Sequence, residues 1–181
     1  MRILRVVTVV LTLFPAPLAL AQGDKAGKTV TLPGGASSIV ESYQDWSVNC
    51  RVTGNAKLCR FSQKLANQEN GQSLLTIEFQ PVEAGVLSGA IALPFGLRLA
   101  EGIRLSVDGK EAQQTFTFST CLAIGCLVPI RLGAAEVATL QAGMKLEILA
   151  IAHDSGQRLS FPVSLLGFST AASRTATLAE P

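Results

Sequence analysis

The sequence predicts an all-β fold, a single-domain antiparallel sandwich or barrel. Three observations carry that expectation. Apolar and polar residues alternate with period two over short runs, as half-buried strands require. The runs are separated by Gly, Asn, Asp and Pro turn signals suited to antiparallel hairpins. The strand–helix–strand rhythm of a parallel sheet is absent, and only two stretches read as helix.

The elements follow in chain order. Met1-Arg2-Ile3-Leu4-Arg5 is a basic start, Val6 to Phe14 is an uncharged and mainly apolar run, and Ala19-Leu20-Ala21 is a small-x-small cleavage pattern. Residues 1–21 therefore read as a secretory signal peptide, and the mature chain is expected to start at Gln22. Residues 22–39 read as a flexible leader, because Gly23, Gly27, Pro33-Gly34-Gly35 and Ser37-Ser38 offer little apolar surface to bury. The sandwich domain is assigned to 40–172. Its first strand places Trp46, Val48, Cys50 and Val52 on one face, alternating with Ser47, Asn49 and Arg51. Leu75, Ile77 and Phe79 form another apolar face, as do Ile103, Leu105 and Val107, and then Phe116 and Phe118. Further strands are expected over 58–65, 86–93, 127–132, 145–152 and 158–165, giving eight to nine in all. Turns fall at Thr53-Gly54-Asn55, Asn70-Gly71, Pro94-Phe95-Gly96, Asp108-Gly109 and Asp154-Ser155-Gly156. Asp108-Gly109 is the strongest of these, because a type I′ hairpin turn needs positive φ at both central residues. A short helix is expected from Ala134 to Ala142, between Gly133 and Gly143. A second, of low intrinsic stability, is expected from Phe168 to Leu178, with 173–181 set apart as a C-terminal tail.

Charge and cysteine content narrow the function classes. The 181-residue chain carries 15 Lys+Arg against 13 Asp+Glu, and Arg2 and Arg5 leave with the signal segment. The mature chain is then electrically balanced, which argues against nucleic acid as a partner and against strong attachment to an anionic membrane. No stop-transfer segment follows the signal, so no transmembrane segment is expected. All four cysteines, Cys50, Cys59, Cys121 and Cys126, follow the signal, and an even number in an exported chain reads as two disulfides. No cysteine adjoins the cleavage site, so no lipid anchor is expected there. The protein is placed in the periplasm, or secreted or at the outer surface, after cleavage of the signal peptide.

The residues give little support to catalysis. His153 is the single histidine. It lies at a strand-ending turn, where Asp154 and Ser155, its immediate neighbours, are aimed away from it and do not form a triad. Gly-x-Ser-x-Gly, Ser-x-x-Lys and His-Glu-x-x-His are absent from the sequence. One histidine and four oxidised cysteines leave no soft ligand set for a metal. No catalytic residue, metal ligand or cofactor is assigned. Trp46, in phase with Val48 and Cys50, reads as core and not as an exposed binding anchor.

Four cysteines allow three pairings. Symmetry favours Cys50–Cys59, centred on Gly54-Asn55, and Cys121–Cys126, which bracket Leu122-Ala123-Ile124-Gly125. Each pair then sits directly opposite on neighbouring strands. In the chain-entropy model each short closure stabilises by roughly 2–3 kcal/mol. A thioredoxin-like redox pair has two intervening residues at a helix N-terminus; the gaps of eight and four in a strand context read as structural staples.

At these residues the sequence resembles the invasion-associated locus B family of exported bacterial proteins. The resemblance rests on Asp45-Trp46-Ser47-Val48-Asn49-Cys50, Cys59-Arg60-Phe61-Ser62-Gln63, Leu93-Pro94-Phe95-Gly96-Leu97 and the hairpin Gly102 to Gly109. It continues through Phe118-x-x-Cys121 with Gly125-Cys126, Leu140-Gln141-Ala142-Gly143, and Ser164-Leu165-Leu166-Gly167-Phe168 with Ala171-Ala172. Leu166 departs from the Lys common in the family. The resemblance implies an immunoglobulin-like β-sandwich, no established catalytic residues and, in pathogenic members, a role in entering host cells. The leading expectation is a non-enzymatic interaction protein whose partner, an unknown protein or an envelope or host-surface ligand, is not legible, nor is its oligomeric state. The alternative is an envelope-integrity factor without a host ligand; an enzyme or thiol–disulfide redox protein is the third class.

Overall fold

The computed structural model describes residues 30–81 and 85–180. The signal segment and residues 22–29 of the leader lie outside the described residues. Among the described residues, eleven strands and two α-helices follow one another as β1 (Ser38–Tyr43), β2 (Trp46–Thr53), β3 (Ala56–Ala66), β4 (Ser73–Pro81), β5 (Leu87–Leu93), β6 (Ile103–Val107), β7 (Lys110–Phe116), β8 (Thr120–Leu122), β9 (Gly125–Leu132), α1 (Ala134–Ala142), β10 (Lys145–Ile151), β11 (Arg158–Ser164) and α2 (Phe168–Ala179). They build a seven-stranded sheet, in the order β1-β2-β3-β4-β5-β9-β8, and a four-stranded sheet, β11-β10-β6-β7. The ladders are antiparallel, and the two sheets form a sandwich-like arrangement with free edges; the barrel alternative does not hold.

The period-two faces set the core. Trp46, Val48, Cys50, Phe61, Leu75, Ile77 and Phe79 on the large sheet, with Ile103, Leu105, Leu146, Ile148 and Val163 on the small one, are all buried in one cluster. The hairpin at Asp108-Gly109 has the positive φ angles (49° and 81°) that its residues require. α2 packs on β2 and β3 and reaches β4 and β1. It brings Phe168 against Trp46, Phe61 and Phe79, with ring centroids 5.2, 5.5 and 6.0 Å apart. Four aromatic rings thus meet where the large sheet and α2 join; Trp46 and Phe79 are stacked and the other pairs are tilted or edge-to-face, arrangements that suit their quadrupoles. Gly167 makes this entry possible. Its φ is +85°, and a Cβ there would fall 2.0 Å from the carbonyl oxygen of Tyr43.

The structure departs from the expected elements in three places. The leader boundary at 39/40 falls inside β1, and Leu32 is already buried in the core. β1 escapes a sequence reading because its side chains are only half-buried on one face; its pairing with β2 across Gln44-Asp45, with Gln44 at φ 52°, is what defines it. The strand expected around Phe116 and Phe118 lies earlier, at Lys110–Phe116, and Phe118 packs on the core from beyond its end. β7 is an edge strand exposed on both faces until Phe116, so no alternation announces it. α2 continues through the segment set apart as a tail, because Ala171, Ala172, Thr175 and Leu178 give it a buried stripe of mostly small residues that seats closely on the sheet.

Candidate functional site

The outward face of the large sheet carries a cleft of about 620 Å³. Its floor follows from the strand registers. Lys64 on β3 lies opposite Thr76 on β4, Thr76 opposite Ala92 on β5, and Ala92 opposite Leu127 on β9, so one row crosses four strands. A second row contributes Glu78 opposite Ala90. Directly opposed residues share a face. The alanines at the centre are short, and a trough opens above them.

Two loops raise the walls. Pro94 and Phe95 follow β5, and Ala123-Ile124 form the tip between β8 and β9, next to the end of β5. Phe95 is 63% exposed and Ile124 69%. Large apolar side chains so exposed, and facing one trough, are what a partner surface can bury.

Both walls are fixed in place. Leu97 is buried and bridges to Ala152, the Arg98 N–H donates to the Ile151 carbonyl at 2.8 Å, and the His153 N–H donates to the Gly96 carbonyl at 2.8 Å. The loop after β5 is thereby tied to the turn between β10 and β11, with Leu97 turned in and Phe95 turned out. The β8–β9 tip is held by the Cys121–Cys126 disulfide across its ladder. Gly125, at φ +126°, packs where a Cβ would lie 2.3 Å from the Leu93 carbonyl oxygen, so the hairpin tip sits directly on the end of β5.

Charge in the cleft is lopsided. Glu78 is paired with Arg60 at 2.9 Å, whereas no carboxylate among the described residues pairs with Lys64. The cleft thus offers an apolar trough with Lys64, which no carboxylate among the described residues pairs, at its β3 side. It can hold an apolar group beside an anionic one.

The sequence-assigned residues fall into two sets. Cys50 and Cys59 are joined, lie opposite each other in the β2–β3 register and are buried; Cys121 and Cys126 are joined, with Cys126 buried and Cys121 exposed. Trp46 is 1% exposed and belongs to the core. His153 is exposed, and its links to Gly96 and Arg98 run through its main chain. Among the described residues, no group of three or more His, Cys, Asp or Glu is placed to hold a metal ion, and no helix is long and apolar enough to cross a membrane. Sequence reasoning missed Phe95 and Ile124. The signal available was a large apolar residue at each of two turns, where polar residues are usual.

The residues of the sequence resemblance converge on a fold node and on the cleft walls. Trp46, Phe61 and Phe168 meet in tilted and edge-to-face contacts. Trp46 Nε1 and Gln63 Nε2 both donate to the Ser164 carbonyl, at 2.9 and 3.0 Å. Residues 46–176 match the profile of the family described as invasion associated locus B (IalB) protein.

The chain belongs to the invasion-associated locus B family. An invasion protein B homolog of Brucella abortus is 39% identical over 148 residues, covering 82% of this chain and 85% of the relative. Invasion protein B of Bartonella bacilliformis is 34% identical over 166 residues, covering 88% and 89%. The crystal structure of invasion associated protein B from Bartonella henselae superposes with a TM-score of 0.73 at 31% identity, covering 78% of this chain and 97% of that one. In this member of the family, Pro94 and Phe95 of the motif Leu93-Pro94-Phe95-Gly96-Leu97 and Gly125 of Gly125-Cys126 line the cleft.

Proposed function

We propose that this chain is an exported, non-enzymatic binding protein of the bacterial envelope or the host-cell surface, and that it engages its partner through the Phe95–Ile124 cleft. One observation carries the reading: two large apolar side chains line one trough and stand exposed, each on a loop that the fold ties down. Rigid anchors lose little entropy on binding, which is what makes aromatic groups effective at interface centres. The names of the relatives support a role at the host-cell surface. Export by the 1–21 signal, with the mature chain in the periplasm or at the outer surface from Gln22 onward, is part of the proposal and accords with two disulfides.

The test is a double variant, Phe95→Ser with Ile124→Ser. Both positions are exposed, so circular dichroism and thermal unfolding should match the parent. Binding of labelled protein to host cells, or to isolated envelopes, should fall by tenfold or more, since central aromatic anchors contribute about 2 kcal/mol or more. Undiminished binding by the folded double variant would remove the cleft from the proposal. Binding to envelopes alone, with none to host cells, would select an envelope-integrity role.

A further inference from the structure

Each sheet has two edges, and three of the four are protected against pairing with another strand. β8 is only three residues long. β11 contains Pro162, which has no N–H to offer a ladder, and opens with Arg158. β7 opens with Lys110, and its ladder with β6 slips between Arg104↔Thr115 and Ser106↔Glu111. Short strands, prolines, lysines and irregular registers are the devices that keep sheet edges from associating.

β1 has none of them. It runs six residues, Ser38–Tyr43, in unbroken register with β2 and without Pro, Lys or Arg. Its one charge, Glu41, is already held by Arg174 through two 2.8 Å bonds. Val40 is 68% exposed on the outer face.

The hydrogen-bonding parity of the edge follows from its first pair. The Val52 N–H donates to the Ser37 carbonyl at 2.8 Å. Bonding direction alternates along an antiparallel strand. Ile39, Glu41 and Tyr43 therefore address β2, and Ser38, Val40 and Ser42 direct their N–H and C=O groups to the free edge.

We propose that β1 is the seam of a two-fold homodimer, in which it pairs antiparallel with β1 of a second copy and Val40 meets Val40 across the axis. A two-fold pair that keeps the faces in phase has two central registers in this strand. An axis at Glu41 sets two carboxylates opposite each other. An axis at Val40 sets Ile39 opposite Glu41 of the second copy and Ser38 opposite Ser42, with no like charges facing. That second register also bonds the three residues whose backbone groups point outward. The exposed valine is then covered by its own symmetry mate, as an isologous contact requires. The joined sheet has both outer faces on the same side, because directly opposed residues share a face. Two Phe95–Ile124 clefts would be presented together, a bivalent arrangement for the binding role proposed above. The dimer itself rests on β1 alone and stands independently of that role.

Sedimentation velocity of the chain beginning at Gln22, over a wide concentration range, tests this. A reversible monomer–dimer equilibrium is expected. Val40→Lys, which sets two cations at the axis, and Ser42→Pro, which deletes an outward N–H, should each give monomer at the same concentrations. Their circular dichroism should match the parent. Val40→Cys should form a covalent dimer under mild oxidation. A monomer at every concentration, or a dimer indifferent to both substitutions, would overturn the proposal. Dimerisation only after removal of residues 22–29 would also overturn it, and would assign the edge to the chain's own N-terminal segment.

Discussion

The side chain of Gln63 grips the main chain of Ser164 by both of its polar groups: the Ser164 carbonyl accepts from Gln63 Nε2 at 3.0 Å, and the Ser164 N–H donates to Gln63 Oε1 at 3.1 Å. The two residues are 101 positions apart and belong to different sheets, β3 and β11. Gln63 is 7% exposed, so no water readily replaces its partner. Trp46 Nε1 donates a second bond to the same carbonyl. Replacing Gln63 with Leu leaves the Ser164 N–H without its acceptor while keeping the volume. Leaving a buried group unsatisfied costs about 1–3 kcal/mol. Urea unfolding should show a loss of that size for Gln63→Leu and little change for Lys64→Ala on the outer face.

Much of the fold is legible in the sequence because a half-buried strand declares itself by alternation. Trp46, Val48 and Cys50 lie on the buried face their spacing indicates, as do Leu75, Ile77 and Phe79. β1 and β7 were not legible because an edge strand can expose both faces, or half-bury one, and then its pattern carries no period. Gln63 is in phase with Cys59 and Phe61, a polar residue at a core position, yet its partner lies on another sheet. The cleft was less legible still. Whether Phe95 points in or out depends on bonds from the main chains of Ile151 and His153, more than fifty residues away. Turn chemistry shows that the chain bends at Pro94-Phe95-Gly96 but not which way the ring faces.

The two disulfides should differ in reactivity. Cys50 and Cys59 are 0% and 7% exposed, whereas Cys121 lies at the surface on a three-residue edge strand. Thiolate attack needs access to sulfur. Under graded reductant in native buffer, alkylation and peptide mass mapping should find Cys121 and Cys126 modified before Cys50 and Cys59. Replacing both Cys121 and Cys126 with Ser should lower stability by about 2–3 kcal/mol at most. It should also loosen Ile124, and with it the cleft, while the core remains intact.

His153 should be dispensable as a side chain. Its N–H and carbonyl tie the Phe95 loop to the β10–β11 turn, but those groups belong to the backbone and survive substitution. His153→Ala is expected to shift stability by less than about 0.5 kcal/mol, as exposed positions usually do. Binding through the cleft should be unaltered. By contrast His153→Pro, which removes the N–H bonded to Gly96, should weaken binding in the same assay.

Acid should unlock α2 from β1 in a defined window. Arg174 Nε and Nη2 bond both carboxylate oxygens of Glu41 at 2.8 Å, and the Tyr43 hydroxyl donates to the same group at 2.8 Å. Chiefly through the Arg174 bonds, and then that of Tyr43, the Glu41 pKa is lowered from 4.5 to about 2. The same contact holds the Tyr43 hydroxyl above its ordinary range. Between those two values the unfolded chain carries a proton that the folded carboxylate does not, so folded stability falls as pH falls. The contribution is complete above the upper value and is lost as pH drops through the lower one. Both side chains are about one-third exposed, which screens the pair and keeps the effect modest. Urea midpoints measured at about pH 5 and about pH 3 should therefore move closer together in Glu41→Gln than in the parent. An equal spacing in the two proteins would show that the clasp contributes nothing to the acid response, and would leave the seating of α2 to its aromatic and small-residue contacts alone.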